Sequence, residues 1–175
     1  IFNAVAGYKA ATANFPGTSV SYTTSRVLVE GRDVEVVDLP GTYSLTSQDE
    51  AERQSLRYLT EEDASVLINV VDASRLGRAL ELTLQLVDLG RPMVLALNMA
   101  DEAQRKGIEV DAAKLVRELG LPVIVTIARR GLGLTELFAA ALDAADRNRV
   151  PPTPRYDREV EDAAAAVEEL LLRMP

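Results

Sequence analysis

The sequence predicts an α/β domain, and three observations carry that prediction. Long apolar runs recur at residues 65 to 72 (SVLINVVD), 92 to 99 (PMVLALNM) and 122 to 127 (PVIVTI), stretches with helical periodicity separate them, and two shorter runs upstream lie too close together for a helix to join them. Alternation of strand-like and helix-like segments is the sequence sign of a mainly parallel sheet covered by helices.

Each element has its own justification. RVLVE (26 to 30) and VEVVD (34 to 38) are joined by Gly31-Arg32-Asp33, which predicts an antiparallel hairpin. The three longer runs do not alternate apolar with polar residues, so burial on both faces is expected of them. Between the first two, residues 76 to 90 place Leu80, Leu84 and Val87 on one helical stripe. Residues 111 to 120 begin on an Asp cap and close at Gly120, and residues 134 to 147 are helical too. VPPTPRYD (150 to 157) reads as a proline-rich linker, and residues 159 to 174 have strong helix-forming composition with Val160, Val167, Leu170 and Leu171 apolar. The expected organisation is one domain over residues 1 to 149, then a linker and the first helix of a second, helical unit over 150 to 175.

Composition excludes several chemistries. The chain has no cysteine and no histidine, so disulfides, thiolate nucleophiles and imidazole ligands or bases are ruled out. What remains is carboxylates, hydroxyls, backbone amides and a metal on oxygen ligands. The formal net charge of -8 argues against a nucleic-acid surface, which needs clustered Lys and Arg, and Arg129-Arg130 is the only Arg-Arg pair. No apolar run approaches the roughly 20 residues that cross a bilayer, so the chain by itself is expected to be soluble.

Two motifs stand at strand ends. The run VVDLPGTYSL (36 to 45) stops on Asp38 and bends through Pro40 and Gly41, and ALNMAD (96 to 101) closes on Asn98-Met99-Ala100-Asp101. Both fall at carboxyl edges of the predicted sheet, where open α/β folds bind ligands. A strand-end Asp can hold Mg²⁺ through water, and a glycine amide can approach a terminal phosphate because no Cβ intervenes. In Asn-x-x-Asp the carboxylate can accept two hydrogen bonds from a guanine edge while the Asn side chain braces neighbouring loops; adenine has no matching pair of donors. Taken singly, each motif is more often a plain turn or a helix cap. Their order, spacing and shared edge favour a nucleotide.

These residues, with IFNAVAG (1 to 7), NFPGTSVSY (14 to 22), residues 67 to 101 and ARRGLG (128 to 133), resemble the cytosolic GTPase domain of the ferrous iron transport protein B family of bacterial inner-membrane Fe²⁺ transporters. The resemblance covers nearly the whole chain, and DLPGTYSL together with NVVDAS and ALNMAD makes it specific, because general small GTPases usually carry Lys where Met99 stands. It implies a G domain of the P-loop NTPase type, slow GTP hydrolysis with GTP/GDP and Mg²⁺ as cofactors, K⁺ in the intact parent, and a helical domain leading to a membrane-embedded transporter part. It also implies a position on the cytoplasmic face of the inner membrane, allows a homo-oligomer and gives no nucleic-acid partner. Asp38 and Gly41 match the Mg²⁺-water and γ-phosphate positions, Asn98 and Asp101 the guanine-reading pair with Met99 between them, and Ile127, Ala128 and Arg129 the loop that backs the base through main-chain amides. Ser19 matches the switch threonine that ligates Mg²⁺, with Thr18 beside it as the substitute.

The chain departs from the family pattern in four places. No hydroxyl stands at Ile127 or Ala128, which leaves a backbone contact only. Thr42 follows Gly41, so no Gln is placed to orient the attacking water, and hydrolysis is expected to be slow without help. A serine replaces the usual switch threonine. The phosphate-binding Gly-x-x-x-x-Gly-Lys-Ser/Thr loop and the strand before it do not precede Ile1, so the chain is expected to be part of a longer GTPase and, taken alone, to be inactive and not to bind GTP. Two other classes compete: a ribosome-assembly or tRNA-modifying GTPase, and a G-domain relic that serves as an interaction module.

Overall fold

The computed structural model describes residues 1–6, 10–15, 18, 20–41, 49–62, 64–153, 157–158 and 162. Its elements are α1 (Phe2–Ala6), β1 (Ala11–Asn14), β2 (Ser21–Val29), β3 (Arg32–Asp38), α2 (Glu50–Glu61), β4 (Leu67–Asp72), α3 (Leu76–Val87), β5 (Met93–Asn98), α4 (Ala100–Arg105), α5 (Ala112–Leu119), β6 (Val123–Val125) and α6 (Leu134–Asp146). The strands form two three-stranded sheets, antiparallel β1-β2-β3 and parallel β4-β5-β6.

β5 explains why the parallel sheet holds together. Side chains on a strand alternate between faces, and here Met93, Leu95 and Leu97 enter one core while Val94 and Ala96 enter the other. All five are at most 1% exposed. The first core is closed by Leu86 and Val87 of α3 and Leu121, with partly buried Leu59 from α2 and Leu115 from α5; the second by Leu137, Ala141 and Ala144 of α6, with Ile1 packed against it. A deeply buried polar pair between β4 and α3 is satisfied: Asn69 Nδ2 donates to Thr83 Oγ1 at 2.8 Å, and Thr83 Oγ1 to the Ala79 carbonyl at 2.9 Å.

Several expectations need correction. Burial on both faces holds for β5 alone: β4 is an edge strand of its sheet, its burial alternates, and Val70 is 49% exposed. The last strand stops at Val125, because Ile127 instead bridges antiparallel to Leu132 across a tight turn. The hairpin is a three-stranded sheet, with β1 pairing through Ala11↔Thr24 to Asn14↔Ser21. Helix α2 was not anticipated. Asp49 caps it by accepting from Ala51 N–H at 2.8 Å, and Glu50–Arg53 and Arg57–Glu61 pairs line its exposed side. Ser55 turns inward and donates to the Pro40 carbonyl at 3.3 Å, and Tyr58 packs with Phe15 and Tyr22 in a three-ring cluster that joins α2 to the β1–β2 turn.

In the segment expected to be a linker, Pro151 is buried and the Pro152 ring lies beside Gly120. The helix expected over 159 to 174 falls outside the described residues except at Asp162, which is helical, as is Arg158 just before it. Ser19 and Thr42 also fall outside them. No helix among the described residues is long and apolar enough to cross a membrane.

Candidate functional site

Parallel register places the chemistry at one edge. Asp72 stands opposite Asn98, and Leu97 opposite Val125, so Asn98 comes level with Thr126. Asn98 Oδ1 accepts from Thr126 Oγ1 at 3.1 Å and from the Ala128 amide at 3.0 Å. Thr126, 1% exposed, also donates its own amide to the Leu97 carbonyl at 2.9 Å. One threonine therefore fastens the end of β5 and the side chain of Asn98. Sequence reasoning looked for a hydroxyl at Ile127 or Ala128 and missed this one a residue earlier, where an apolar run conceals it.

The backbone around the site is specialised. Met99 is left-handed at φ 60° and leads into α4, its carbonyl accepting from the Glu102 and Ala103 amides. A non-glycine residue in that region stores strain and turns up preferentially at functional sites. Gly133, at φ 76°, lies so close behind Thr126 that a Cβ there would stand 2.2 Å from the Val125 carbonyl oxygen. Glycine is required at this crossing.

The result is a cleft of about 250 Å³ lined by Asn98, Met99, Asp101, Ile127, Ala128 and Arg129, together with Glu102 and Arg105. Asp101 forms an ion pair with Arg129, and Glu102 pairs with Arg105 and, at 3.4 Å, with Lys106. Two of the main-chain amides expected to back a base are engaged within the protein, Ile127 to the Leu132 carbonyl at 3.0 Å and Ala128 to Asn98.

The Asp38 group lies apart from this cleft. β2 runs antiparallel to β3 and pairs Thr23 with Asp38, so the turn before β2 sits at the same end of the sheet as Asp38. In that turn Thr18 Oγ1 donates to the Phe15 carbonyl at 3.3 Å and accepts from the Val20 amide at 3.2 Å. Desolvation by the surrounding protein pushes the Asp38 carboxyl above its ordinary value of 3.8, although the residue is exposed at the end of β3. Gly41 is exposed, with nothing within 4 Å of where its Cβ would stand.

A parallel sheet with a base-sized cleft at its carboxyl edge, beside an antiparallel sheet that ends on Asp-x-x-Gly, places the molecule in the class of G-domain α/β folds. The comparisons narrow the class. A family described as Ferrous iron transport protein B matches residues 1–141. The chain is 40% identical over 152 residues to the Fe(2+) transporter FeoB of Salmonella typhimurium, covering 85% of this chain and 20% of that one. It is 38% identical over 173 residues to a Fe(2+) transport protein A/Fe(2+) transporter FeoB fusion protein of Porphyromonas gingivalis, covering 97% and 20%. Among solved structures, the GMPPNP form of the cytosolic domain of the T. maritima FeoB iron transporter superposes with a TM-score of 0.91 at 32% identity, covering 99% of this chain and 69% of that one. The apo form gives 0.90 with the same identity and coverage. This chain belongs to the ferrous iron transport protein B family. It spans about a fifth of the length of these curated relatives.

Proposed function

We propose that this chain is the guanine-nucleotide-binding GTPase domain of a ferrous iron transporter, acting on the cytoplasmic side of the inner membrane and coupled to a membrane-embedded part of the same protein. The observation that carries the reading is the cleft at the end of β5, where Asn98 is locked by two hydrogen bonds and the Asp101 carboxylate lines the wall. Two oxygens of one carboxylate match the N1–H and N2–H₂ donors of guanine. Solved relatives described as GMPPNP and GDP forms, at 32% identity, support it. The relatives named above are iron transporters, which favours this reading over a ribosome-assembly or tRNA-modifying GTPase and over a non-enzymatic module.

In this reading Met99 and the loop from Ile127 to Arg129 flank the base, and Asp38, Gly41 and Ser19 or Thr18 serve the phosphates. The donors fit Mg²⁺. It is a hard cation usually held by one or two carboxylates plus phosphate oxygens, and Asp38 is a carboxylate at the end of β3, on the same end of the sheet as the Thr18 hydroxyl. Bound there, Mg²⁺ would neutralise charge developing on the phosphates. Gly41 offers its amide to the terminal phosphate without a Cβ in the way, and residues 150 to 175 lead from the GTPase domain into a helical one.

The test is Asp101→Asn in a chain that includes the phosphate-binding loop. The amide places a donor where guanine also donates, so affinity should move from GTP toward xanthosine triphosphate, whose C2 carbonyl accepts. Titration with both nucleotides decides, and an unchanged preference for GTP removes Asp101 from the base site.

A further inference from the structure

The carboxylate assigned to the base is already held by a side chain of this protein. Arg129 Nη2 donates to Asp101 Oδ2, and both residues line the cleft. The Asp101 side chain is 18% exposed and that of Arg129 68%, so the guanidinium reaches in from solvent to a sheltered acceptor. Glu102, the neighbouring acid, has its own cations in Arg105 and Lys106. The backbone of Arg129 is fixed in the short helical turn Ala128–Arg130, whose first amide bonds to Asn98.

The chemistry of the two donors is alike. A guanidinium presents a planar row of N–H groups that a carboxylate can meet with two parallel bonds, and the guanine N1–H/N2–H₂ edge presents the same row. We propose that Arg129 is an internal stand-in for guanine, occupying Asp101 while the cleft is empty and displaced by the incoming base, which makes it a residue that sets nucleotide affinity at the site. The inference rests on the base-site reading above. Guanine replaces the hydrogen bond that it breaks and releases Arg129 to water. A base without two adjacent donors, such as adenine, would separate the pair and leave the carboxylate bare inside the cleft. Arg129 thus lowers affinity by the same factor for every nucleotide that displaces it, and guanine alone then satisfies the freed Asp101 carboxylate.

An ion pair with one partner largely exposed is weak, so the competition it imposes on guanine is about two- to fivefold in affinity. The experiment is calorimetric titration of GDP into the chain extended through the phosphate-binding loop, as wild type, Arg129→Met, Arg129→Lys and Asp101→Asn, the last also with xanthosine diphosphate. Arg129→Met, at an exposed side chain, should melt with the wild type and bind GDP about two- to fivefold tighter, with Arg129→Lys between them and the difference shrinking as salt rises. In the Asp101→Asn background the same Met substitution should leave xanthosine diphosphate affinity unchanged, because the pair is already gone. If Asp101→Asn moves preference to xanthosine but Arg129→Met binds GDP no tighter than wild type, the stand-in is wrong and the base site stands. If Asp101→Asn moves nothing, the base site falls and the stand-in with it.

Discussion

At Asn98 one amide oxygen accepts two hydrogen bonds from the β6 side, and that arrangement sets the cost of substitutions nearby. Thr126→Val removes the hydroxyl and keeps the shape, so it should cost about 1 kcal/mol of stability, with Thr126→Ser nearer to wild type; urea melts of the two variants check it. Gly133→Ala should cost more than about 1 kcal/mol, because positive φ and the clash with the Val125 carbonyl oxygen act together. Asp38 gives a pH prediction. Its folded pKa lies above the unfolded 3.8, so the folded state holds the proton more tightly, and the stability this contributes is complete below 3.8 and is lost as pH rises through the folded value. Asp38→Asn should therefore flatten the stability profile between 3.8 and the folded value and melt no lower than wild type at neutral pH, while weakening Mg²⁺-dependent nucleotide binding. Thermal melts between about pH 4 and 8 read the first effect; a variant that loses stability at neutral pH would show that the charged carboxylate is stabilised by the fold.

Elements differ in how legible they were. β5 could be read from its sequence because five successive apolar residues serve two cores, and Leu95→Ala should cost between about 2 and 5 kcal/mol in chemical denaturation. The hairpin was legible through Gly31, whose φ of 78° turns the chain between β2 and β3. Helix α2 was not, because its composition is mostly charged and its inward residues, Ser55, Tyr58 and Leu59, form no conspicuous apolar stripe. Asp49 followed by Glu50 and Glu52 was the signal available, a capping residue and an acidic first turn. Strand β1 carries ATAN, polar enough to read as loop, and pairs only because β2 extends back to Ser21. The site divides in the same way. Asp38, Asn98 and Asp101 could be found from spacing along the chain, whereas Thr126 and the Arg129–Asp101 pair depend on register between strands, which local sequence does not encode.

Across the whole molecule the two sheets are unequal. The antiparallel sheet keeps only Ser25 fully buried along its three strands, while the parallel one has β5 sealed on both faces. Described links from the antiparallel sheet and its flanking loops to the rest include an exposed Arg32–Asp146 pair at 2.7 Å, the Ser55 bond to Pro40 and the aromatic cluster. Exposed pairs contribute little, so amides of β1 to β3 should exchange with solvent well before those of β4 to β6. Native-state hydrogen exchange reads this, and equal protection would contradict it. In the proposed reading the base is read on the stable sheet and the phosphates on the yielding one. The most direct test of that account is a titration followed by amide NMR in a chain extended through the phosphate-binding loop, with GDP compared against ADP. GDP should shift Met99, Asp101, Ala128 and Arg129 together, and ADP at the same concentration should leave them in place. Equal shifts from both nucleotides, or GDP shifts that bypass these four amides, would contradict it.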